Sequence, residues 1–237
     1  MDFLAFPFIE GSYAKLARFV AGASYSLVGV GVPREACGGS LGIQLPGSFR
    51  RVWAPLLRAL EDPDVGGRIA CLSSAEDFEE AVEAGYKVAA LLVKATAFGR
   101  IDVDEWLGAA SLGAPLARKA LEAGCDALAA DSYGSLLANV LEVRPQKVVV
   151  LDTLAPTPLE LVGMIAAGLL PRRLAEDAVS YAVKYLRDYV IPSKRLSTAY
   201  RSLLRDPGYL KLLQSAGLPV LRRGAYREAP ALGGLAR

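Results

Sequence analysis

The sequence predicts an α/β fold, specifically a TIM-barrel-like (β/α) barrel of about seven β/α units. Strand-like apolar runs alternate along the chain with segments whose apolar residues recur at helical spacing. The strand-like runs are apolar on both faces, which is typical of a parallel sheet covered by helices. Because the composition does not change sharply along the 237 residues, we expect residues 1–237 to form a single domain. An open, doubly wound sheet is the alternative.

The predicted strands are short apolar runs bounded by turn-forming or charged residues. They cover residues 2–9, 25–32, 68–72, 87–94, 125–130 and 147–152, with one further short strand at 191–198. Residues 34–47 are rich in glycine and, like residues 95–113, are expected to be irregular, apart from a short helical pattern near 104–107.

The predicted helices start where a side chain or a proline suits a first turn. Serine or aspartate oxygens cap four of them, at Ser12, Ser48, Ser73/Ser74 and Asp206, and proline starts two more, at Pro158 and Pro171. Glycines at 85, 124 and 217 are expected to end helices. The helices cover residues 12–21, 48–60, 74–85, 115–123, 134–141, 158–170, 171–189 and 207–216, followed by a weakly helical tail.

The chain contains no histidine, and this excludes several kinds of site. A Ser-His or Cys-His nucleophile pair, a His-ligated zinc and an imidazole general base are all impossible. The three cysteines, at 37, 71 and 125, form no C-x-x-C motif, and we expect all three to be reduced and buried. With no secretory signal and no long apolar segment visible, we expect a cytoplasmic protein that does not enter the membrane.

Charge is distributed unevenly. Residues 1–150 carry 14 Lys/Arg and 18 Asp/Glu, whereas residues 151–237 carry 13 Lys/Arg and 7 Asp/Glu. A basic C-terminal third predicts a surface that faces a polyanion, with tyrosines interleaved among the cations at 181, 185, 189, 200 and 209. The candidate RNA-binding residues are Arg172, Arg173, Lys194, Arg195, Arg201 and Arg205. The scarcity of amides, one Asn and three Gln, favours a thermophilic source.

A different site is also conceivable at the ends of the predicted strands. Asp131 and Asp152 follow strands at the edge where barrel enzymes place their catalytic groups, and Lys94 closes another strand. These three residues are the candidate catalytic groups of a small-molecule lyase or isomerase. Helix capping and solvation are the simpler explanation for both aspartates.

Three stretches of the chain resemble the archaeal ribonuclease P protein component 3 family. They are ARKALEAGCDALAAD (117–131), AEDAVSYAVKYLRDYVIP leading into RLSTA (175–199), and LLRDPGYLKLLQSAGLP (203–219). The opening FIEGSYAKLARFVAGASYSLVGVGV (8–32) is loosely similar to the family's first β-α-β unit. The resemblance covers about two thirds of the chain.

The resemblance implies a TIM-barrel-like protein subunit of ribonuclease P, the RNA enzyme that removes the 5′ leader from precursor tRNA. The expected partners are the ribonuclease P RNA and a Pop5-type protein subunit, with precursor tRNA contacted indirectly. The family's barrel is similar to metal-dependent phosphoesterase barrels that need several histidines. A relative without histidine is therefore not itself catalytic and needs no cofactor of its own, because the RNA holds the Mg²⁺.

Two alternatives to this function stay open at the level of sequence. One is the lyase or isomerase that acts through the strand-end groups. The other is a structural, partner-binding protein whose arginines form thermally stabilising ion-pair networks. The second predicts that most arginines of the C-terminal third pair with carboxylates of the same chain.

Overall fold

A computed structural model describes residues 1–38 and 47–226, apart from the side chain of Ser48. Contacts divide the chain into two compact units. The first contains Met1–Phe78, Ala114–Leu154 and residues 221–226, and the second contains Glu79–Gly113 and Ala155–Val220. No change in composition marks these boundaries, and the single domain inferred from the sequence stays a prediction.

The described residues form six strands and twelve α-helices. The strands are β1 (Asp2–Ala5), β2 (Val28–Pro33), β3 (Ile69–Ser73), β4 (Ala127–Ala130), β5 (Val148–Val150) and β6 (Gly224–Tyr226). The helices are α1 (Glu10–Gly22), α2 (Arg34–Cys37), α3 (Gly47–Ala59), α4 (Pro63–Gly66), α5 (Ala75–Phe98), α6 (Val103–Ala109), α7 (Ala117–Glu122), α8 (Tyr133–Glu142), α9 (Pro158–Ala166), α10 (Ala175–Lys184), α11 (Leu196–Leu203) and α12 (Pro207–Ser215). A 3₁₀ turn at Arg172–Leu174 and a π-helical segment at Tyr185–Val190 flank α10.

All six strands belong to one sheet in the first unit, in the order β3-β2-β4-β1-β5-β6. The first five strands are parallel, and β6 runs antiparallel to β5. In the centre, Phe3 aligns with Leu128 of β4 and with Val148 of β5. These strands are buried on both faces, as the continuous apolar runs predicted. The α/β class and the mostly parallel sheet are therefore confirmed.

The connections between the parallel strands run in both directions along the sheet. From β1 to β2 to β3 the chain moves towards one edge, and from β3 through β4 to β5 it moves back. Since such crossovers are right-handed, the first-unit helices that connect the strands in the two directions lie on opposite faces of the sheet. In agreement, α1 packs against α3, and α7 packs against α8. In the part of the chain that is described, β1 lies between β4 and β5, whereas sequential barrel strands would place it beside β2.

A disulfide links two elements of the first unit, and the sequence did not predict this bond. Cys37, at the end of α2, is bonded to Cys71 in β3, with the two Cα atoms 6.5 Å apart. Parallel pairing of β2 with β3 brings the cysteines together, because α2 follows directly on β2. The prediction of three reduced cysteines is wrong for this pair and holds for Cys125, which is free and buried.

Two predicted strands are helical instead. Residues 87–94 lie inside α5, a helix of 24 residues that runs through Gly85 without ending there. Residues 191–198 form a turn followed by the start of α11. Both runs are short and apolar, and periodicity does not distinguish a strand from part of a helix in such runs.

The described residues of the second unit contain helices and no strand. Helix α9 starts at a capping box formed by Thr157 and Glu160, with Pro158 in the first turn as predicted. It packs against α6 and α10. The approach is close at Gly163, where an added Cβ would lie 3.0 Å from the backbone oxygen of Ser111. Buried tyrosine hydroxyls in this unit donate hydrogen bonds to backbone carbonyls. The hydroxyl of Tyr209, for example, donates to the backbone oxygen of Pro156 at 2.5 Å.

Candidate functional site

The solvent face of α11 in the second unit is basic. Ala199, Tyr200 and Leu203 bury the opposite face of this helix. Lys194 and Arg195 precede the first turn, Arg201 lies in the last turn and Arg205 follows it, and all four side chains are exposed. Only Arg201 lies within the helix, while Lys194, Arg195 and Arg205 lie in the segments that directly flank it. We call these four residues the α11 basic face.

Within the described residues, two arginines of the α11 basic face form no ion pair with an acidic side chain. Neither Arg195 nor Arg205 forms an ion pair there. Arg201 donates from Nε to the backbone oxygen of Ser197 at 3.1 Å, one turn earlier in the helix. An exposed cationic surface of this kind attracts an external anion.

Other cations of the C-terminal third are already paired within the second unit. Arg172 binds the carboxylate of Asp104, Arg187 binds Asp188 at 2.6 Å, and Lys184 binds Asp206 at 2.6 Å. Arg172 and its neighbour Arg173 lie on the 3₁₀ turn, not on α11. The six predicted RNA-binding residues therefore divide into four on the α11 basic face and two on a separate element. Ion pairing covers only some of the arginines, in contrast to the expectation for a purely structural role.

Three of the five interleaved tyrosines are not available for stacking on bases, and only Tyr181 and Tyr189 are partly exposed. Tyr185, Tyr200 and Tyr209 are buried. Burial raises the pKa of Tyr185 and of Tyr209 well above the usual range. Tyr200 accepts a hydrogen bond from the backbone N–H of Ala155 at 2.7 Å, and Tyr189 donates to Asp206 at 2.8 Å. The buried rings therefore contribute to packing within the second unit. Any binding of RNA is left to the cationic side chains.

A polar cluster that the sequence did not reveal surrounds Asp206, the N-cap residue of α12. Its carboxylate accepts from Lys184, from Tyr189, and from the backbone N–H groups of Gly208 and Tyr209. The hydrogen bond from Lys184 is the largest cause that lowers the pKa of Asp206, to about 2. Sequence predicted the cap but gave no sign of the lysine, which lies 22 residues earlier.

In the first unit, Asp131 follows β4 directly and Asp152 lies two residues after the end of β5, and these two strands flank β1. The sequence therefore placed both carboxylates correctly at the carboxyl edge of a parallel sheet. Tyr13 of α1 donates to Asp131 at 2.6 Å, and Lys15 of the same helix forms an ion pair with Asp152 at 2.6 Å. Burial and the nearby Asp131 carboxylate raise the pKa of Tyr13. The N-cap residues of the helices that follow are Ser132 and Thr157, so neither aspartate is an N-cap, and solvation stays a simple explanation for both.

Lys94 does not join this group of acids. It lies in the middle of α5, in the second unit, and its ammonium group binds both carboxylate oxygens of Glu105 at 2.9 Å. The strand that was predicted to end at Lys94 is helix. The assignment of Lys94 as a strand-end catalytic lysine is therefore wrong.

Comparisons with known proteins return no protein family, no curated protein and no solved structure that matches this chain. Within residues 1–38 and 47–226, none of the helices has both the length and the apolar character needed to cross a lipid bilayer.

Proposed function

We propose that this chain binds RNA phosphates through the α11 basic face. The observation that carries the proposal is the cluster of four exposed cations in α11 and its flanking segments, two of which have no ion pair among the described residues. Guanidinium groups donate forked hydrogen bonds that match phosphate oxygens. Because several cations lie within a short stretch of chain, they suit the closely spaced charges of a nucleic-acid backbone.

The more specific proposal is that the RNA is that of ribonuclease P and that the chain is a non-catalytic protein subunit of that enzyme. This step is supported by the resemblance of residues 117–131, 175–199 and 203–219 to the component 3 family. The absence of histidine agrees with a subunit that leaves cleavage, and the Mg²⁺ it needs, to the RNA. A cytoplasmic location and a Pop5-type partner are further parts of this proposal, whereas the closed TIM-like barrel that the resemblance implies is not. The strand order of the described sheet favours the open alternative over the barrel.

The small-molecule lyase or isomerase has weaker support. Asp131 and Asp152 flank β1 at the expected edge, but Tyr13 and Lys15 already engage their carboxylates. With Lys94 on α5 and bound to Glu105, the proposed set of three catalytic groups is not assembled.

A salt series tests whether the α11 basic face binds RNA. We expect the affinity for an archaeal ribonuclease P RNA transcript to fall steeply as salt rises, because phosphate contacts release counterions. The substitutions Arg201→Gln and Arg205→Gln should each reduce the slope of log K against log salt by about one. Filter binding between 50 and 400 mM KCl, roughly the range over which such contacts weaken, measures the slope.

Arg144→Gln provides the matched control, because Arg144 is exposed in the first unit between α8 and β5. This variant should keep the slope of the unmodified protein. A flat salt response, or equal changes in all three variants, would contradict the proposed surface.

Reconstitution tests the assignment to ribonuclease P. We expect the chain, added to ribonuclease P RNA, a Pop5-type subunit and Mg²⁺, to increase the rate of 5′-leader removal from precursor tRNA. Without the RNA it should cleave nothing, since a histidine-free chain of this kind contributes binding and not chemistry. Gel analysis of labelled precursor tRNA gives the rate. If the salt series succeeds but leader removal is not stimulated, the chain binds RNA outside ribonuclease P.

A further inference from the structure

The first unit contains a cleft of roughly 500 Å³ that the proposed function does not use. One wall is formed by Lys15, Arg18 and Phe19 of α1. The floor and the other wall are formed by the end of β5, residues 149–151, together with Arg223 and Gly224 at the start of β6. Its volume lies within the range of small-molecule sites in proteins.

Three cations from two separate elements line this cleft. Lys15 and Arg18 are three residues apart and so share one side of α1, whereas Arg223 lies next to the antiparallel pairing of Gly224 with Val150. The Asp152 carboxylate, 2.6 Å from the Lys15 ammonium, neutralises one of the three charges. Within the described residues Arg18 and Arg223 form no ion pair. Among the residues that the structure describes, two of the three positive charges are therefore uncompensated.

The remaining lining is apolar. Phe19 lies half-buried, its ring centroid 6.1 Å from that of Tyr25, and Val149 and Leu151 supply aliphatic surface. A ligand that satisfies both parts of the cleft has a doubly charged anionic group and a compact apolar group.

We propose that this cleft binds a small phosphate monoester, with the phosphate held between Arg18 and Arg223 and the organic group against Phe19. A phosphate dianion matches the two free charges, and its oxygens accept the forked donors of guanidinium groups. The Lys15 ammonium has three N–H donors, so it can bind the phosphate while keeping its contact with Asp152. A nucleic-acid backbone, which is polar and charged, would not fill the apolar part of the cleft.

Titration calorimetry with phenyl phosphate tests the proposal, with phenol and inorganic phosphate as comparison probes. We expect saturable binding of phenyl phosphate, weaker binding of inorganic phosphate and no binding of phenol. Arg18→Gln and Arg223→Gln should each weaken phenyl phosphate binding tenfold or more, since each removes a charge-assisted hydrogen bond. Arg18→Lys should recover part of the loss, because it restores the charge without the fork.

Arg144→Gln is again the matched control and should bind phenyl phosphate like the unmodified protein. Absence of saturable binding, equal affinity for phenyl phosphate and inorganic phosphate, or an equal loss in Arg144→Gln would overturn the proposal. Variants of the α11 basic face should leave this affinity unchanged. The cleft and that face are thereby tested independently, and circular dichroism confirms that each variant is folded.

Discussion

Removal of the Cys37–Cys71 disulfide is expected to lower the free energy of unfolding of the first unit by about 3–4 kcal/mol. The two cysteines are separated by 34 positions, so the bond closes a long loop and restricts the unfolded chain. The Cys37→Ala/Cys71→Ala variant, and the unmodified protein in dithiothreitol, should both show this loss. Urea unfolding followed by the fluorescence of Trp53 measures it, with Trp106→Phe as the common background so that only the first unit reports.

Cys125 provides the control for this experiment. It is buried and free, so Cys125→Ala removes a sulfur atom without removing a cross-link, and reductant should still destabilise that variant. Thiol titration of the denatured protein should find one thiol without reductant and three with it. If the unmodified protein already yields three thiols without reductant, or if dithiothreitol leaves its unfolding midpoint unchanged, the disulfide makes no contribution to stability.

This disulfide illustrates what sequence could not provide. The strands that became β4 and β5 were predicted because their apolar character is local, and the cap at Asp206 because capping acts within one turn. The proximity of Cys37 to Cys71 depends on which strands become neighbours, and no local pattern specifies that β2 pairs with β3. The strand order and the partner of Asp206 escaped prediction for the same reason.

The α11 basic face shows a different relation between sequence and structure. The cations were identified from charge alone, while residues 191–198 were assigned to a strand. On a strand, successive side chains alternate between faces, so Lys194 and Arg195 would have been divided between two surfaces. In the structure both are exposed just before α11, whose last turn contains Arg201. In the first unit, Lys15 and Arg18 were overlooked, although their spacing on a predicted helix already placed them on one side.

Replacing Asp206 by Asn is expected to lower the free energy of unfolding of the second unit by about 2–3 kcal/mol at pH 7. Asn can still accept the N-cap hydrogen bonds, so the loss reflects the charged contact with Lys184. The Asp206 side chain is only 9% exposed but that of Lys184 is 40% exposed, so solvent screens this contact in part. Urea unfolding followed by Trp106, in a Trp53→Phe background, measures the loss in this unit.

The pH dependence separates this ionic contribution from a packing defect. The pKa of Asp206 is about 2 in the folded chain, below the value of about 3.9 of an unfolded aspartate. The carboxylate therefore stabilises the fold fully above pH 4, roughly the unfolded value, and this contribution is lost as pH falls towards the folded value. The difference between the unmodified protein and Asp206→Asn should shrink accordingly, whereas Asp177→Asn, an exposed position on α10, should change stability little at any pH. A difference for Asp206→Asn that stays constant down to the folded pKa would show that the side chain acts through shape alone and not through its charge.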